Sequence, residues 1–585
     1  MKKELSMEVR LLLAFVLMGL VLVGSQYFLK STPAPTATKD TAKKNATAEP
    51  AAAKGAADAP AKSPAAATTA ASTPAAGTAS GSASGKADAP AAVQAEKEET
   101  TTVETDNYRV VFSNRGAVVK SWLLKGYKDH SQKPLELVNQ RALAKAPAPL
   151  SLVFKGQAPA TDPNNVLFKL DRSADGMQLT FDYSDGRVVA KKTFRFEAKS
   201  FLVNVTSEVT QNGTLLPHSI TWRGGFGDES ALTPTTAQHS IYYDLANSKL
   251  QTKQAKDAKD GPVITAGQYS FAGLEDAYFA AAFLPGNKSS VEQTTFSDNI
   301  PNAEGKDEQR VGAGVGGDGV NQFGLFVGPK DTDLLRKVDP KLEQIVDWGW
   351  FGILAKPLFL VLNYTADKLT HSYGWAIVLV TIAINFVLLP VKISQMKSAK
   401  KMQQLQPQIA AINAKYQGVK MNDPRNTEKN EEVMELYKKN GVNPVGGCLP
   451  LLLQLPFLWA FYKVLSVSIE MRGASWLWAA DLSQPDVIFG INGIHLLPIL
   501  LIITQFLTQK MTPTPGMDPT QQKMMMFMPL MMGYMFYFAS SGLVLYWLTG
   551  NVVGVAQQWL LNRNSPTPVA ANRVIDAKPV KKTKK

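Results

Sequence analysis

Apolar residues divide the chain sharply. Residues 1–29 open with Lys2, Lys3 and Arg10 and run into an apolar stretch from Leu11 to Leu29. A basic start before an apolar segment reads as an export signal. The stretch is about long enough to cross a bilayer, and no Ala-x-Ala site follows it directly, so residues 1–30 are expected to remain as a transmembrane anchor. Residues 31–104 are Ala, Pro, Thr, Ser, Gly and Lys with almost no bulky apolar side chain. Such a segment cannot bury enough surface to offset its ordering entropy and reads as a disordered tether.

Over residues 105–340 the texture changes to short alternating runs, among them YRVVF (Tyr108–Phe112), MQLTFDY (Met177–Tyr183), KTFRFE (Lys192–Glu197) and FLVNVTSEV (Phe201–Val209). Turn residues separate them, as at Ser184–Gly186 and Asn212–Gly213. Period-two alternation with this punctuation predicts an all-β sandwich. Residues 345–370 carry Trp348, Trp350, Phe351, Leu358 and Phe359 beside Lys356, Asp367 and Lys368, with Pro357 inside. They predict an amphipathic helix lying on a membrane. Five apolar helices are expected near 373–390, 446–468, 493–509, 523–539 and 541–561, the last two joined by a tight hairpin at Ser540–Gly542. With the anchor this gives a polytopic α-helical membrane protein of six spans.

Charge sets the orientation. The segment 391–445 is rich in Lys, and the tail 562–585 carries Arg563, Arg573, Lys578, Lys581, Lys582, Lys584 and Lys585. Between 469 and 492 the one basic residue is Arg472. Because Lys and Arg mark the cytoplasmic side of short loops, both termini and a helical hairpin at 391–445 are placed in the cytoplasm, and the β domain outside it. The formal charge of +13 and pI of about 9.3 make anionic partners plausible, lipid headgroups or RNA. The lone Cys448 excludes an intramolecular disulfide and a cysteine-based zinc cluster. The five histidines are scattered, and no HExxH, phosphate loop or nucleophile elbow is present. No catalytic, cofactor or metal site is therefore expected, nor a small-molecule substrate.

Four segments, GWAIVLVTIAINFVLLPVKISQMKSAKKMQQLQPQI (Gly374–Ile409), NPVGGCLPLLLQLPFLWAFYKVL (Asn443–Leu465), DPTQQKMMMFMPLMMGYMF (Asp518–Phe536) and SSGLVLYWLTGNVVGVAQQWL (Ser540–Leu561), resemble the YidC/Oxa/Albino membrane protein insertase family in order and spacing. YRVVFSNRGAVVKSWLL (Tyr108–Leu124) and LFVGPKDTDLLR (Leu325–Arg336) resemble the periplasmic domain of the version found in bacteria with two membranes. The resemblance implies a five-helix insertase core in the inner membrane with a β-supersandwich periplasmic domain. It also implies insertion of nascent membrane proteins, alone or with the Sec translocon, without nucleotide hydrolysis. The cytoplasmic hairpin is implied to meet clients and the Sec or targeting machinery.

The candidate client groove follows from the residues and the resemblance together. The second span of the family normally carries a groove arginine, and Asn385 stands at the matching position. Thr381, Asn385 and Lys392 share one helical face, since offsets of four and seven return near the same angle. A polar group within a span needs partners or water, so this face lines either a hydrated groove or a helix–helix contact. Gln454 in the third span and Gln557 and Gln558 in the last could line a wet cavity or pair between helices. Leu455, Pro456 and Leu458, with Met528 in the methionine cluster Met524, Met525, Met526, Met528, Met531, Met532 and Met535, form the apolar side. Methionine suits a surface that accepts varied apolar clients, although ordinary core filling gives the same pattern. Tyr546 and Trp547 match an aromatic pair that the resemblance implies touches clients; ordinary packing is the alternative. A secondary transporter or channel is the competing function, but it predicts inverted repeats and several charges within the spans. The basic tail suits ribosome contact or anionic lipid.

Overall fold

The computed structural model describes residues 92–563, except 130–131, 157, 231–237, 287–289, 318, 418–424, 442–448, 489–493 and 512–518. The expected anchor at 1–30, most of the tether, Cys448 and all but the first residues of the basic tail lie outside the described residues.

Residues 100–329 form antiparallel sheets. The largest has ten strands, with Phe279–Leu284, Asn321–Pro329, Leu202–Gln211 and Val188–Phe196 in its middle. A five-stranded sheet holds Val291–Pro301 and Asp307–Gly317, and a four-stranded sheet starts at Thr100–Glu104. Alternation places one side of each strand inside. Val188, Ala190, Phe194 and Phe196 are buried, while Lys191 and Arg195 point to solvent. Large aromatics fill the space between sheets: Phe196 packs on Tyr108, Tyr108 on Trp122, Trp122 on Trp222, and Trp222 on Phe226.

Lys192 keeps the strand's period and is therefore buried. Its ammonium donates to the carbonyls of Gly116 (2.7 Å), Leu150 (2.8 Å) and Ala117 (3.2 Å). Burial pushes its pKa down to about 7. The three carbonyls oppose that shift, because only the charged form has three N–H donors to serve them all.

Helix α1 (Thr332–Val338) leaves the sandwich, capped by Asp331 Oδ1, which accepts from the backbone of Asp333 and Leu334. Helix α2 (Gly352–Thr365) starts seven residues after the expected boundary, because the chain first makes a 3-10 turn at Leu342–Ile345. It widens into a π-turn at Ala366–Thr370. Then come α3 (Tyr373–Val387), α4 (Leu389–Gln404), α5 (Gln406–Lys415), α6 (Arg425–Lys439), α7 (Leu449–Val467), α8 (Leu496–Met511), α9 (Pro519–Phe536) and α10 (Ser541–Arg563). The expected span at 373–390 breaks at Leu388. Pro390 cannot donate a backbone hydrogen bond and sits in the first turn of α4, where none is required.

Helix α10 packs on α3 and α8, and α9 packs on α8. Asp486, fully buried, caps α8. Its Oδ2 accepts from the backbone of Leu496 (2.9 Å) and Leu497 (3.0 Å) and from the indole of Trp478 (2.9 Å). The end of α4, α5 and α6 share a small core of their own, Met402, Leu405, Ile409 and Tyr437. Among the described residues no single helix is long and apolar enough to cross a membrane. The α2 unit and α3 reach that length and hydropathy together, bent by 116°.

A candidate client-binding face in the helical bundle

The Thr381–Asn385–Lys392 face meets α10. Asn385 is 8% exposed. Its amide nitrogen donates to Thr381 O (2.8 Å), and its Oδ1 accepts from Lys392 Nζ (2.5 Å). Lys392 Nζ also reaches Gln557 Oε1 at 3.5 Å, while Gln557 Nε2 approaches the Asn385 carbonyl at 3.4 Å. Thr381 is fully covered and its hydroxyl returns to Ile377 O (2.6 Å). Gly550 of α10 faces this group: a Cβ there would sit 3.9 Å from Asn385 Nδ2, in ordinary contact. Lys392 is thus held by two amide oxygens, one from α3 and one from α10.

One turn before Gly550, Tyr546 stacks on Phe461 of α7, with ring centroids 4.0 Å apart, and interacts with the Gln454 side chain. Trp547 meets Phe536 of α9 edge-on at 4.9 Å. Leu458 lies in the same buried cluster, with Leu455 and Met528 packed against it. Pro456 sits inside α7 and is half-buried. Tyr546, Gly550 and Gln557 therefore place the aromatic and polar groups along one side of α10. Asn385, Lys392 and Gln557 are thus paired with one another, and Tyr546 with Gln454.

The methionines divide between two sides of α9. Met532 is buried and Met528 and Met535 are half-buried, whereas Met526 and Met531 are exposed beside Phe527, Leu530 and Tyr534. Helix α2 likewise exposes Ile353, Leu360, Val361 and Tyr364, with Trp350 fully exposed before it. An exposed apolar surface of this extent marks a membrane or partner contact.

Of a second polar joint, between α10 and α8, the sequence singles out Gln558 but not Asn551, Thr504 or Gln505. Asn551 Nδ2 donates to Gln505 Oε1 (2.8 Å) and approaches Thr504 Oγ1 (3.4 Å), and Gln558 Nε2 donates to Met511 O (2.5 Å). Thr504 and Thr508, like Gln505 and Gln509, recur at one-turn spacing on α8, which is the signal that could have found it. Among the described residues no three His, Cys, Asp or Glu side chains come together to hold a metal ion.

The profile of the YidC periplasmic domain matches residues 100–361, and that of the 60Kd inner membrane protein family matches residues 365–568. A membrane protein insertase YidC of Ralstonia nicotianae is 33% identical over 488 residues, spanning 81% of this chain and 85% of that protein. Another from Syntrophus aciditrophicus is 32% identical over 582 residues, spanning 96% and 100%. A crystal structure of an active YidC insertase with its first transmembrane domain resolved is 20% identical and covers 80% of this chain and 93% of that one, at a TM-score of 0.34. By the sequence relationship, the chain belongs to the YidC family of membrane protein insertases, with the family's periplasmic domain.

Proposed function

We propose that the protein inserts and helps fold integral inner-membrane proteins, and that the α3–α10 face is the polar lining their charged segments meet. The observation that carries this reading is the kinship over four-fifths of the chain with proteins named as insertases. A client charge at the centre of a bilayer costs roughly 2.5–3.5 kcal/mol on translocon scales. Lys392, Asn385 and Gln557 offer hydrogen bonds along that path when the bundle parts. The client's apolar helix then leaves for lipid past α7 and α9, where Leu455, Leu458 and Met528 line the way and Met526 and Met531 face outward. No nucleotide is consumed in this scheme; transfer of the apolar helix into lipid supplies the free energy.

Six spans with both termini in the cytoplasm, α2 at the outer interface and contacts of the 391–445 hairpin with clients and the Sec or targeting machinery complete the proposal. Ribosome contact is assigned to the basic tail. Depletion of the protein in cells, followed by protease mapping of a small Sec-independent client, tests it. The client is expected to lose its protected, membrane-inserted form. Unchanged insertion after depletion would overturn the reading.

A further inference from the structure

The loop between α7 and α8 enters both halves of the molecule. After α7 the chain makes a 3-10 turn, Ile469–Met471. Ile469 is buried in the core of the β domain, and Met471, two residues on, is buried in the core of the helices. Arg472 follows and runs into the β domain. Its Nη2 donates to a carboxylate oxygen of Asp228 and to the carbonyl of Lys128 (2.9 Å). The guanidinium lies over the rings of Tyr278 and Phe279, 5.6 and 5.5 Å from their centres. Side-chain exposure is 5% for Arg472 and 3% for Asp228.

The β domain is shaped to offer this carboxylate. The backbone N–H of Asp228 donates to Asp276 Oδ2 (2.9 Å), and its other carboxylate oxygen accepts from Ser230 N (2.8 Å) and Oγ (2.5 Å). Gly227 has φ +98°, and a Cβ there would fall 1.9 Å from Asp276 Oδ2, so only glycine fits. A buried arginine is costly unless paired, and removing one partner of such a pair leaves the other charge uncompensated.

The same loop holds the outer ends of two bundle helices. Trp476 covers Gly374 at the start of α3, where a Cβ would come within 2.2 Å of the indole. The backbone of Gln484 and Leu482 accepts from Ser541 N (2.7 Å) and Gly542 N (2.9 Å) at the start of α10, and Ser541 Oγ donates to Asp481 O (2.9 Å). Helices α3 and α10 are those that carry Asn385, Tyr546 and Gln557, and Lys392 lies in the first turn of α4, which follows α3 directly.

We propose that Arg472 is a positioning residue: its ion pair with Asp228 docks the β domain onto the 468–486 loop and thereby fixes the starts of α3 and α10 relative to each other. The β domain thus acts on insertion through one buried pair. Arg472, alone among the residues of its segment in carrying a basic side chain, is there for this contact. The inference rests on the insertase reading only for its activity measurement.

The test uses the full chain in proteoliposomes, with Cys448→Ser, Ile264→Cys and Leu477→Cys carrying spin labels on two exposed sites, one in the β domain and one in the loop. Arg472→Gln is expected to broaden the label–label distance distribution and slow insertion of a small client several-fold. Arg472→Lys, which keeps the charge, should restore most of both. Asp228→Asn should reproduce the defect, and the double variant should add little to either single one. A narrow distribution in Arg472→Gln, or a broadened one with an unchanged insertion rate, overturns the proposal. If Arg472→Gln does not accumulate, Asp228→Asn decides in the same way. Failure of the unsubstituted chain to insert any client would sink the insertase reading, while the distance distributions would still decide whether the joint exists.

Discussion

Asn385→Leu isolates the polar face. Leucine keeps the volume of the side chain and removes both polar atoms. The donor to Thr381 O is a small loss, because that carbonyl already serves the helix ladder. The larger loss is the acceptor of Lys392 Nζ, which is left with Gln557 Oε1 at 3.5 Å. A hydrogen bond to a charged group contributes about 1.5–3 kcal/mol, so the lysine is released from its place beside α10. If a client's charged segment uses the same groups, its barrier rises by a similar amount, and each 1.36 kcal/mol is about tenfold in rate. We therefore expect Asn385→Leu to slow clients with charged translocated segments by about tenfold or more and to leave weakly charged ones near the normal rate. The assay is protease protection of in vitro translated clients in proteoliposomes. Asn385→Arg should be tolerated, since the family resemblance implies that arginine fits there, and Asn385→Cys in a Cys448→Ser background should react with a water-soluble maleimide. If Asn385→Leu inserts every client normally and the cysteine stays unreactive, the face is only a helix contact.

Four further outcomes are expected. Lys192→Met should lower the stability of the β domain by about 1–3 kcal/mol, by stranding three buried carbonyls, as read from thermal unfolding of the full chain. Because burial holds the folded Lys192 pKa near 7, below its unfolded value, the unfolded state binds more protons from about pH 7 to the ordinary lysine range, so stability should rise with pH across that window and flatten in Lys192→Met. Lipids brominated near the interface should quench tryptophan emission in the unsubstituted chain more than in Trp350→Phe; equal quenching places Trp350 away from lipid. Truncation after Arg563 should abolish salt-sensitive cosedimentation with ribosomes, whereas an unchanged signal rules the tail out. Deletion of residues 110–320 should retain insertion at a reduced rate, since Arg472 then meets water instead of a buried partner; complete loss in a stably accumulating deletion contradicts this.

Local patterns carried much of the architecture. The run KTFRFE announces its strand because Lys192, Phe194 and Phe196 keep period two, yet nothing local says that the lysine goes inward, since its three acceptors come from residues 116, 117 and 150. Offsets of four and seven put Thr381, Asn385 and Lys392 on one face. The contact that completes it, with Gln557, crosses 165 residues and needs the fold. The helix break at Leu388 was hidden because its neighbours are all apolar and Pro390 is compatible with the interior of a span as well as with a helix start. Arg472 read as a lone loop charge. Its partner Asp228 lies in a polar stretch of the β domain, and only three-dimensional placement joins them.

If the proposed function holds, the chain can move a small client into a bilayer without the Sec translocon. Purified protein in liposomes free of the Sec translocon and of nucleotide, presented with a small Sec-independent client, tests it most directly. The expected result is a protease-protected, membrane-spanning client in amounts that rise with the protein and fall in Asn385→Leu when the translocated segment is charged. A client that remains fully digestible, or that inserts equally into protein-free liposomes, contradicts it.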